Sequence, residues 1–293
     1  MSGMLEPDRD GEKRATLAEA LRELRRAAGL SGERLAVRCA MSQAKISRIE
    51  TGRILPTVID VEQILRALEV PEEVAEEILA LTRAANVDYT SWRTYARIGL
   101  WRRQVEIQSL TSAAKEVRQF LPAIPSGLLQ TRDYARYAFM SAVAGRPAGD
   151  VEKMVDARLA GQSVLDDPHR KFSFLMTEQA VRWRRAPVEV MAEQVAHLMG
   201  LSARPNIDIS ILPVDVDVFA APLNIFVIYD ERLVKVELFS GSVVLRDPRD
   251  VAYHREVFDF FLSRALRGAD AVEFLQSVKE EFQGEIDGGA LEC

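Results

Sequence analysis

Cysteine is nearly absent from this chain of 293 residues. Cys39 and Cys293 are the only two, too few for a disulfide framework, and the expectation is a reducing, cytoplasmic setting. Histidine is almost as scarce. His169, His197 and His254 fall in different predicted elements, so cysteine and histidine together offer no metal-ligand spacing, and neither a metal nor another cofactor is expected. No apolar run reaches the roughly 20 residues needed to span a bilayer, and the acidic, arginine-containing start lacks a signal-peptide core. A soluble protein with no membrane partner is expected. A nucleophile elbow with its Ser-His-Asp order and a glycine-rich phosphate loop are also missing, so enzymatic chemistry is not expected.

What is present is the composition of an ordinary folded protein, 48% hydrophobic and 28% charged, with length enough for two domains. The formal net charge of -6 argues superficially against a nucleic-acid partner, but its distribution matters more than its total. Between Lys13 and Arg53 ten Lys or Arg face four Glu; between Ile54 and Asp88 two arginines face eight carboxylates. The basic surface is therefore confined to one segment.

Within that segment the stretch MSQAKISRIE, Met41 to Glu50, is patterned as a recognition helix. Ser42 is a good N-cap, Ile46 and Ile49 fall three apart for burial, and Gln43, Lys45 and Arg48 are left to project outward. Its surroundings read as further short helices. Thr16 with Glu19 makes a capping box, and Leu17, Leu21, Leu24 and Ala28 form one stripe before Gly29 stops the helix. Ser31 caps a second helix burying Leu35, Ala36 and Cys39, and the brief turn to Ser42 makes a helix-turn-helix. Gly52 ends the third. Thr57 with Asp60 opens a fourth carrying Val58, Val61, Leu65 and Leu68, and Pro71 starts a fifth carrying Val74, Ile78 and Leu81.

The order of these features (R-x-x-x-G-L ending helix one, S-Q-x-x-I-S-x-I-E, then G-R-x-x-P) resembles the DNA-binding domain of the lambda-repressor-like, or xenobiotic-response-element, family of helix-turn-helix regulators. The resemblance implies that Gln43, Ala44, Lys45 and Arg48 face base edges in the major groove of double-stranded operator DNA. Gln43 can pair bidentately with adenine, Lys45 and Arg48 can reach guanine, and Ala44 can pack against a thymine methyl. Ser42, Arg34, Arg38 and Arg53 are placed against phosphates, with the positive helix end at Ser42 adding backbone amides. For Lys45 and Arg48 the alternative is a solvated charge or a pair with a neighbouring carboxylate. Gly32 departs from the family, which often has a phosphate-contacting Gln there.

Asn86 to Val117 is expected to be helical. Its segment TSWRTYARIGLWRR sets Trp92, Tyr95 and Trp101 beside Arg93, Arg97, Arg102 and Arg103, a mixture that can stack on nucleic acid or can dock a linker helix on the following domain. Leu121 to Arg136, LPAIPSGLLQTRDYAR, is a helix-breaker-helix corner in which Thr131 can cap the next helix. It resembles the P-G-L-L-Q-T-x-x-Y-A signature of an actinobacterial regulator family, some of whose members are antitoxin-like, with Ser126 inserted between Pro125 and Gly127. Alternation marks strands at Phe172 to Met176 and Ile207 to Ile211, then Pro222 to Tyr229 and Leu233 to Phe239 as an antiparallel hairpin turning at Asp230 and Glu231, with a short strand at Ser242 to Arg246. Helices are expected at Val188 to Leu201, from Pro248, and at Ala271 to Phe282.

The expected fold is multidomain and mostly α: a flexible tail over 1–14, a five-helix helix-turn-helix domain over 15–85, a helical connector over 86–104, an α+β domain with a small helix-flanked sheet over 105–284, and a tail over 285–293. Glu178 at the end of one strand and Glu237 inside another are a candidate effector pocket with Arg182; each carboxylate can equally pair structurally with an arginine. The expected function is a transcriptional regulator that binds an operator as a homodimer, while its second domain senses a ligand or, as the resemblance suggests, a small partner protein in an antitoxin-like role. The competing readings are an enzyme tethered to DNA by its helix-turn-helix and an interaction adaptor using that fold without DNA.

Overall fold

The computed structural model describes residues 9–92, 94, 99, 101–140 and 150–289. The chain divides into two compact units: one takes in the chain up to Tyr89 together with Val244–Asp250, the other Thr90–Val243 together with the chain from Val251 onward.

The first unit is built on five helices: α1 (Arg9–Ala27), α2 (Gly32–Arg38), α3 (Gln43–Glu50), α4 (Val58–Ala67) and α5 (Glu72–Ala85). Leu17 and Leu21 of α1, Leu35 of α2, Ile46 and Ile49 of α3, and Val61, Ile64 and Leu65 of α4 close a core that also takes in Cys39, Leu68 and Ile78. Three of the expected caps form. Ser31 accepts from the Arg34 amide, Ser42 from the Lys45 amide, and Thr57 with Asp60 makes a reciprocal capping box.

Each of the first four helices ends in a Schellman motif, in which a residue with positive φ turns the chain and two amides return to the last carbonyls. At α1 and α3 that residue is Gly29 or Gly52, each at φ 66°. At α2 and α4 it is Ala40 (φ 52°) and Glu69 (φ 54°), which carry no sequence signal for the conformation. Ala40 donates to the Val37 carbonyl at 3.2 Å and Met41 to Ala36 at 2.9 Å, so this turn joins α2 to α3 at a defined angle.

Three expectations are corrected here. The helix expected from Thr16 begins at Arg9, so Thr16 and Glu19 lie inside it, and only 1–8 of the expected tail fall outside the described residues. Ala28 is exposed beyond the end of α1. Of the three residues expected to face inward from α5, Ile78 enters the core, while Val74 and Leu81 are 37% and 46% exposed.

The second part of the chain is organised on a seven-stranded sheet, in the order β1-β7-β6-β5-β2-β3-β4. Its strands are β1 (Val87–Ser91), β2 (Glu116–Leu121), β3 (Lys171–Thr177), β4 (Ile207–Leu212), β5 (Phe226–Tyr229), β6 (Leu233–Leu238) and β7 (Gly241–Leu245). β2, β3 and β4 run parallel, and β5 is antiparallel to both β2 and β6. The helices are α6 (Trp101–Ala113), α7 (Arg132–Met140), α8 (Val151–Gly161), α9 (Glu178–Arg182), α10 (Val188–Ser202), α11 (Pro248–Leu262) and α12 (Ala269–Gly289).

Alternation along the strands sends two residue sets to opposite faces. Val117, Leu121, Phe172, Phe174, Met176, Ile207, Ile209 and Tyr229 pack with Met191, Val195 and Leu198 of α10 and Leu275, Val278 and Phe282 of α12. On the other face Phe120 stacks on Phe226 at 5.3 Å and on Phe261 of α11 at 4.8 Å. Helices thus flank the sheet, and both faces are covered, as parallel strands require.

The expected single helix from Asn86 to Val117 is corrected to strand β1, helix α6 and the start of β2. Glu116, Arg118 and Gln119 are good helix formers, but pairing with β3 on one side and β5 on the other overrides that propensity. Tyr95, Arg93 and Arg97 lie outside the described residues. β5 begins at Phe226 and not Pro222: proline has no amide for a ladder, and Leu223 is 78% exposed. The expected tail from 285 is helical to Gly289, with Ile286 continuing the stripe of Leu275, Val278 and Phe282 onto the core; 290–293 lie outside the described residues. Among the described residues no helix is long and apolar enough to cross a membrane.

Candidate nucleic-acid interface and effector pocket

Helix α3 is short, eight residues, and its orientation is fixed at both ends. At its start the Ser42 Oγ accepts from the Lys45 amide at 3.2 Å. At its end Glu50 is buried, and Arg25 of α1 grips its carboxylate with Nε at 2.6 Å and Nη2 at 2.8 Å. Arg25 also donates through Nη1 to the Leu30 carbonyl at 2.7 Å, and Arg22 donates to the Glu50 carbonyl through Nε at 3.1 Å. The Glu50 partnership raises the Arg25 pKa further above its already high value. Sequence reading left Arg25 and Glu50 without a role, although both are part of the motif.

With Ile46 and Ile49 buried, the opposite face of α3 presents Gln43, Ala44 and Arg48 to solvent. Arg48 Nε lies back along the helix on the Ala44 carbonyl at 3.2 Å. Lys45 differs: it is half-buried, and its Nζ pairs with Asp60 Oδ1 at 2.6 Å while Asp60 Oδ2 accepts from the Thr57 amide at 3.2 Å. One carboxylate thus caps α4 and holds Lys45 of α3. Of the residues expected against phosphates, Ser42, Arg34, Arg38 and Arg53 are all exposed. Arg38 Nη1 donates to the Ala67 carbonyl at 3.3 Å, and the side chains of Arg34 and Arg53 make no hydrogen bond or ion pair among the described residues. Val37, 78% exposed on α2, is an apolar residue beside these cations in sequence. A cavity of about 260 Å³ in this unit is lined by Arg14, Leu55, Ala85, Asp88 and Arg246, none of them expected to touch DNA.

The three residues grouped as an effector pocket do not meet. Glu178 follows β3 and Glu237 lies on β6, with β5 and β2 between those strands, which separates them by about 14 Å at ordinary strand spacing. Glu178 Oε1 is 2.6 Å from Arg182 Nε, and its Oε2 accepts from the Val214 amide at 3.0 Å. Arg182 then reaches Glu281 of α12, with Nη2 to Oε1 at 3.0 Å. This pair lowers the Glu281 pKa and raises that of Arg182. The triad fastens α9 to α12. Glu237 instead pairs with Arg103 of α6.

Arg103 belongs to a different polar cluster, assembled around the sequence signature. Gln130 accepts a hydrogen bond from Arg158 Nη1, and Gln162 Nε2 donates to the carbonyls of Gly127 at 3.0 Å and Gln130 at 2.8 Å. Gln194 of α10 donates to the Leu129 carbonyl at 2.7 Å and accepts from the Thr131 amide at 2.8 Å. Thr131 Oγ1 in turn caps α7 through the Tyr134 amide. Both tryptophans of the expected connector make contacts: Trp92 Nε1 donates to the Leu238 carbonyl at 3.3 Å and its ring lies 4.3 Å from the Arg103 guanidinium, while Lys153 sits 4.7 Å from the Trp101 ring.

Two family models match the chain. Residues 16–78 match a helix-turn-helix domain, and residues 104–277 match a family described as a domain of unknown function, DUF5753. No curated protein matches the chain. Among solved structures it is similar to NucT from Helicobacter pylori, at 12% identity and a TM-score of 0.36 over 62% of this chain and 98% of that one. It is also similar to Nuc from Salmonella typhimurium, a phospholipase D family member, at 10% identity and a TM-score of 0.36 over 62% and 95%. A third likeness is to TrmBL2, an archaeal chromatin protein, at 15% identity and a TM-score of 0.32 over 71% and 66%. Scores this low carry no argument about the chain. The helix-turn-helix match, on the residues whose geometry is described above, makes the protein a DNA-binding regulator. Because residues 104–277 take in more than half of it, the chain belongs to the DUF5753 family, with a helix-turn-helix domain ahead of the family domain.

Proposed function

We propose that the protein is a sequence-specific transcriptional regulator that reads an operator with α3 and responds through its second unit to a small ligand or partner protein. The observation that carries the reading is the outward face of α3, where Gln43, Ala44 and Arg48 stand exposed opposite the buried Ile46 and Ile49. Gln43 can donate to adenine N7 and accept from its N6 amino group, Arg48 can donate twice to guanine, and Ala44 offers an apolar contact for a thymine methyl. Arg34, Arg38 and Arg53 supply phosphate contacts that fix register without reading sequence. Lys45 joins the base-reading set only by leaving Asp60.

The regulator acts as a homodimer, since one eight-residue helix covers a single half-site and two recognition helices about 34 Å apart double the readout. It works in the cytoplasm by binding and not by catalysis, and an antitoxin-like role is the form that partner sensing takes. The test is selection of a preferred duplex from random DNA by the full chain. Gln43→Ala and Arg48→Ala should each relax the selected sequence at one position. Arg34→Ala and Arg53→Ala should weaken binding to every duplex and reduce the salt slope by about one each. A chain that selects no sequence, or whose selected sequence survives Gln43→Ala and Arg48→Ala unchanged, is not the regulator described.

A further inference from the structure

Three side chains of the second unit are held inside it with donors or charge left over. Tyr134 of α7 is 1% exposed, yet its hydroxyl makes no hydrogen bond among the described residues. Arg103 of α6 is 8% exposed; it reaches Glu237 through Nη2, but its Nε has no hydrogen-bond partner among the described residues. Arg158 of α8 is half-buried as a residue, with its guanidinium enclosed. It gives Nη1 to the Gln130 side chain and Nε to Gln104 Oε1 at 3.4 Å, and no carboxylate pairs with it among the described residues. Buried polar groups are normally satisfied, and each that is not needs an explanation.

The cluster is also unbalanced in charge. Lys235, fully buried on β6, is matched by Glu106 at 2.7 Å, and Arg103 by Glu237. Arg158 makes no ion pair of its own among the described residues, so it and Arg103 share the single carboxylate of Glu237. Burial, with the repulsion of Arg103 added and only partly opposed by Glu237 and Tyr134, pushes its pKa down to about 9, so at neutral pH it still carries its proton and carries it at a cost. The field of Arg158 is felt at the Tyr134 phenol, where burial outweighs it together with Arg185 and raises the pKa to about 12, keeping the phenol a donor. The missing element is an acceptor with negative charge.

The surroundings hold Arg158 in place for such a group. A Cβ on Gly127 would meet Arg158 Nε at 3.0 Å, so glycine there lets the signature loop lie against the guanidinium without displacing it by a few tenths of an ångström. Gln162 and Gln194 clamp that loop from two other elements, and Phe139 stacks on the guanidinium at 3.8 Å. We propose that Tyr134, Arg158 and Arg103 form a binding site for an oxyanion, the carboxylate or phosphate of a small molecule, with the phenol and two guanidinium donors converging on its oxygens. Phe139 and Trp92, stacked on the two guanidiniums, favour a ligand whose anionic group is attached to a planar apolar body. The site deepens the reading of the second unit as a sensor and rests on that reading only for its effect on DNA.

The test is binding to the full chain by calorimetry and thermal shift at constant ionic strength, with benzoate, acetate and inorganic phosphate as probes and chloride as the control. At least one oxyanion should bind at a ratio of one per chain and raise the melting temperature. Tyr134→Phe keeps the ring and removes one donor, and Arg158→Gln removes a buried charge while keeping a hydrogen-bonding side chain. Each should weaken binding by about tenfold or more. Both should leave the unliganded protein folded; Tyr134→Phe, which removes only an unsatisfied donor, should be at least as heat-stable as the parent, while Arg158→Gln trades relief of buried charge against its bonds to Gln130 and Gln104. Benzoate binding with phosphate excluded would identify a carboxylate ligand, and the reverse a phosphate. No binding by any of the three probes, or binding unchanged in both variants, overturns the site. Binding that leaves DNA affinity unaltered supports the site and instead sinks the sensor reading.

Discussion

Arg25 and Glu50 form a two-pronged ion pair that ties the end of α1 to the end of α3, with side chains only 15% and 11% exposed. The arginine begins the R-x-x-x-G-L motif and the glutamate ends the S-Q-x-x-I-S-x-I-E motif, so two patterns separated in sequence are halves of one clasp. Glu50→Gln should cost about 3 kcal/mol in urea denaturation, because it leaves a buried guanidinium without its charge partner. Arg25→Lys should fare little better, since an ammonium cannot span both oxygens and still reach the Leu30 carbonyl. A loss below about 1 kcal/mol in both variants would mean that the clasp does not hold α3.

Lys45 and Asp60 give a second prediction. Lys45→Ala both removes a cation from α3 and leaves Asp60 unpaired, so it should lower stability by about 1 kcal/mol, while Gln43→Ala and Arg48→Ala stay within about 0.5 kcal/mol. Its effect on DNA should be general weakening with less change of preferred sequence than the other two produce. Equal loss of base preference in all three variants would place Lys45 on the bases despite its pair.

Ala40 sits with positive φ in the turn between α2 and α3, a conformation that costs an L-residue roughly 1–2 kcal/mol. Glycine removes most of that cost but adds chain entropy to the unfolded state, so Ala40→Gly should stabilise by up to about 1 kcal/mol. A raised urea midpoint with unchanged DNA affinity is the expected result; a lowered midpoint contradicts the conformation assigned to this turn.

His197 of α10 has its pKa lowered from the usual 6.5, chiefly by burial and secondarily by Arg204, with Glu193 opposing. The folded state therefore binds this proton later than the unfolded chain as pH falls. Stability should be level above about pH 6.5 and decline below it as protonation of the unfolded chain is favoured. His197→Gln should flatten that part of the profile. Urea midpoints from roughly pH 7.5 down to pH 5 measure it, and an unchanged slope in the variant would assign the decline to other groups.

Much of the first unit was legible in the sequence because its signals are local. Ser31, Ser42, Thr57 and Asp60 cap helices through contacts three residues away, and Gly29 and Gly52 stop them by a conformation glycine adopts freely. The turns at Ala40 and Glu69 were not legible, because packing holds those residues where their own preference would not. The partnership of Lys45 with Asp60, fifteen positions apart, was open as one alternative and could not be chosen by spacing.

In the second unit the strands with alternating apolar residues were readable and those without were not. β2 has glutamate, arginine and glutamine among its six residues, and only neighbours on both sides make it a central strand. Glu178 and Glu237 looked like partners as acids near strand ends, yet strand order places two strands between them. By itself the sequence determined the helices of the reading head, their caps and the residues on the outward face of α3, since periodicity and capping act within a few residues. Only the tertiary structure decided that, among the described residues, Arg158 has no ion pair of its own and Tyr134 no hydrogen bond, because burial and charge balance depend on which distant segments the fold brings together.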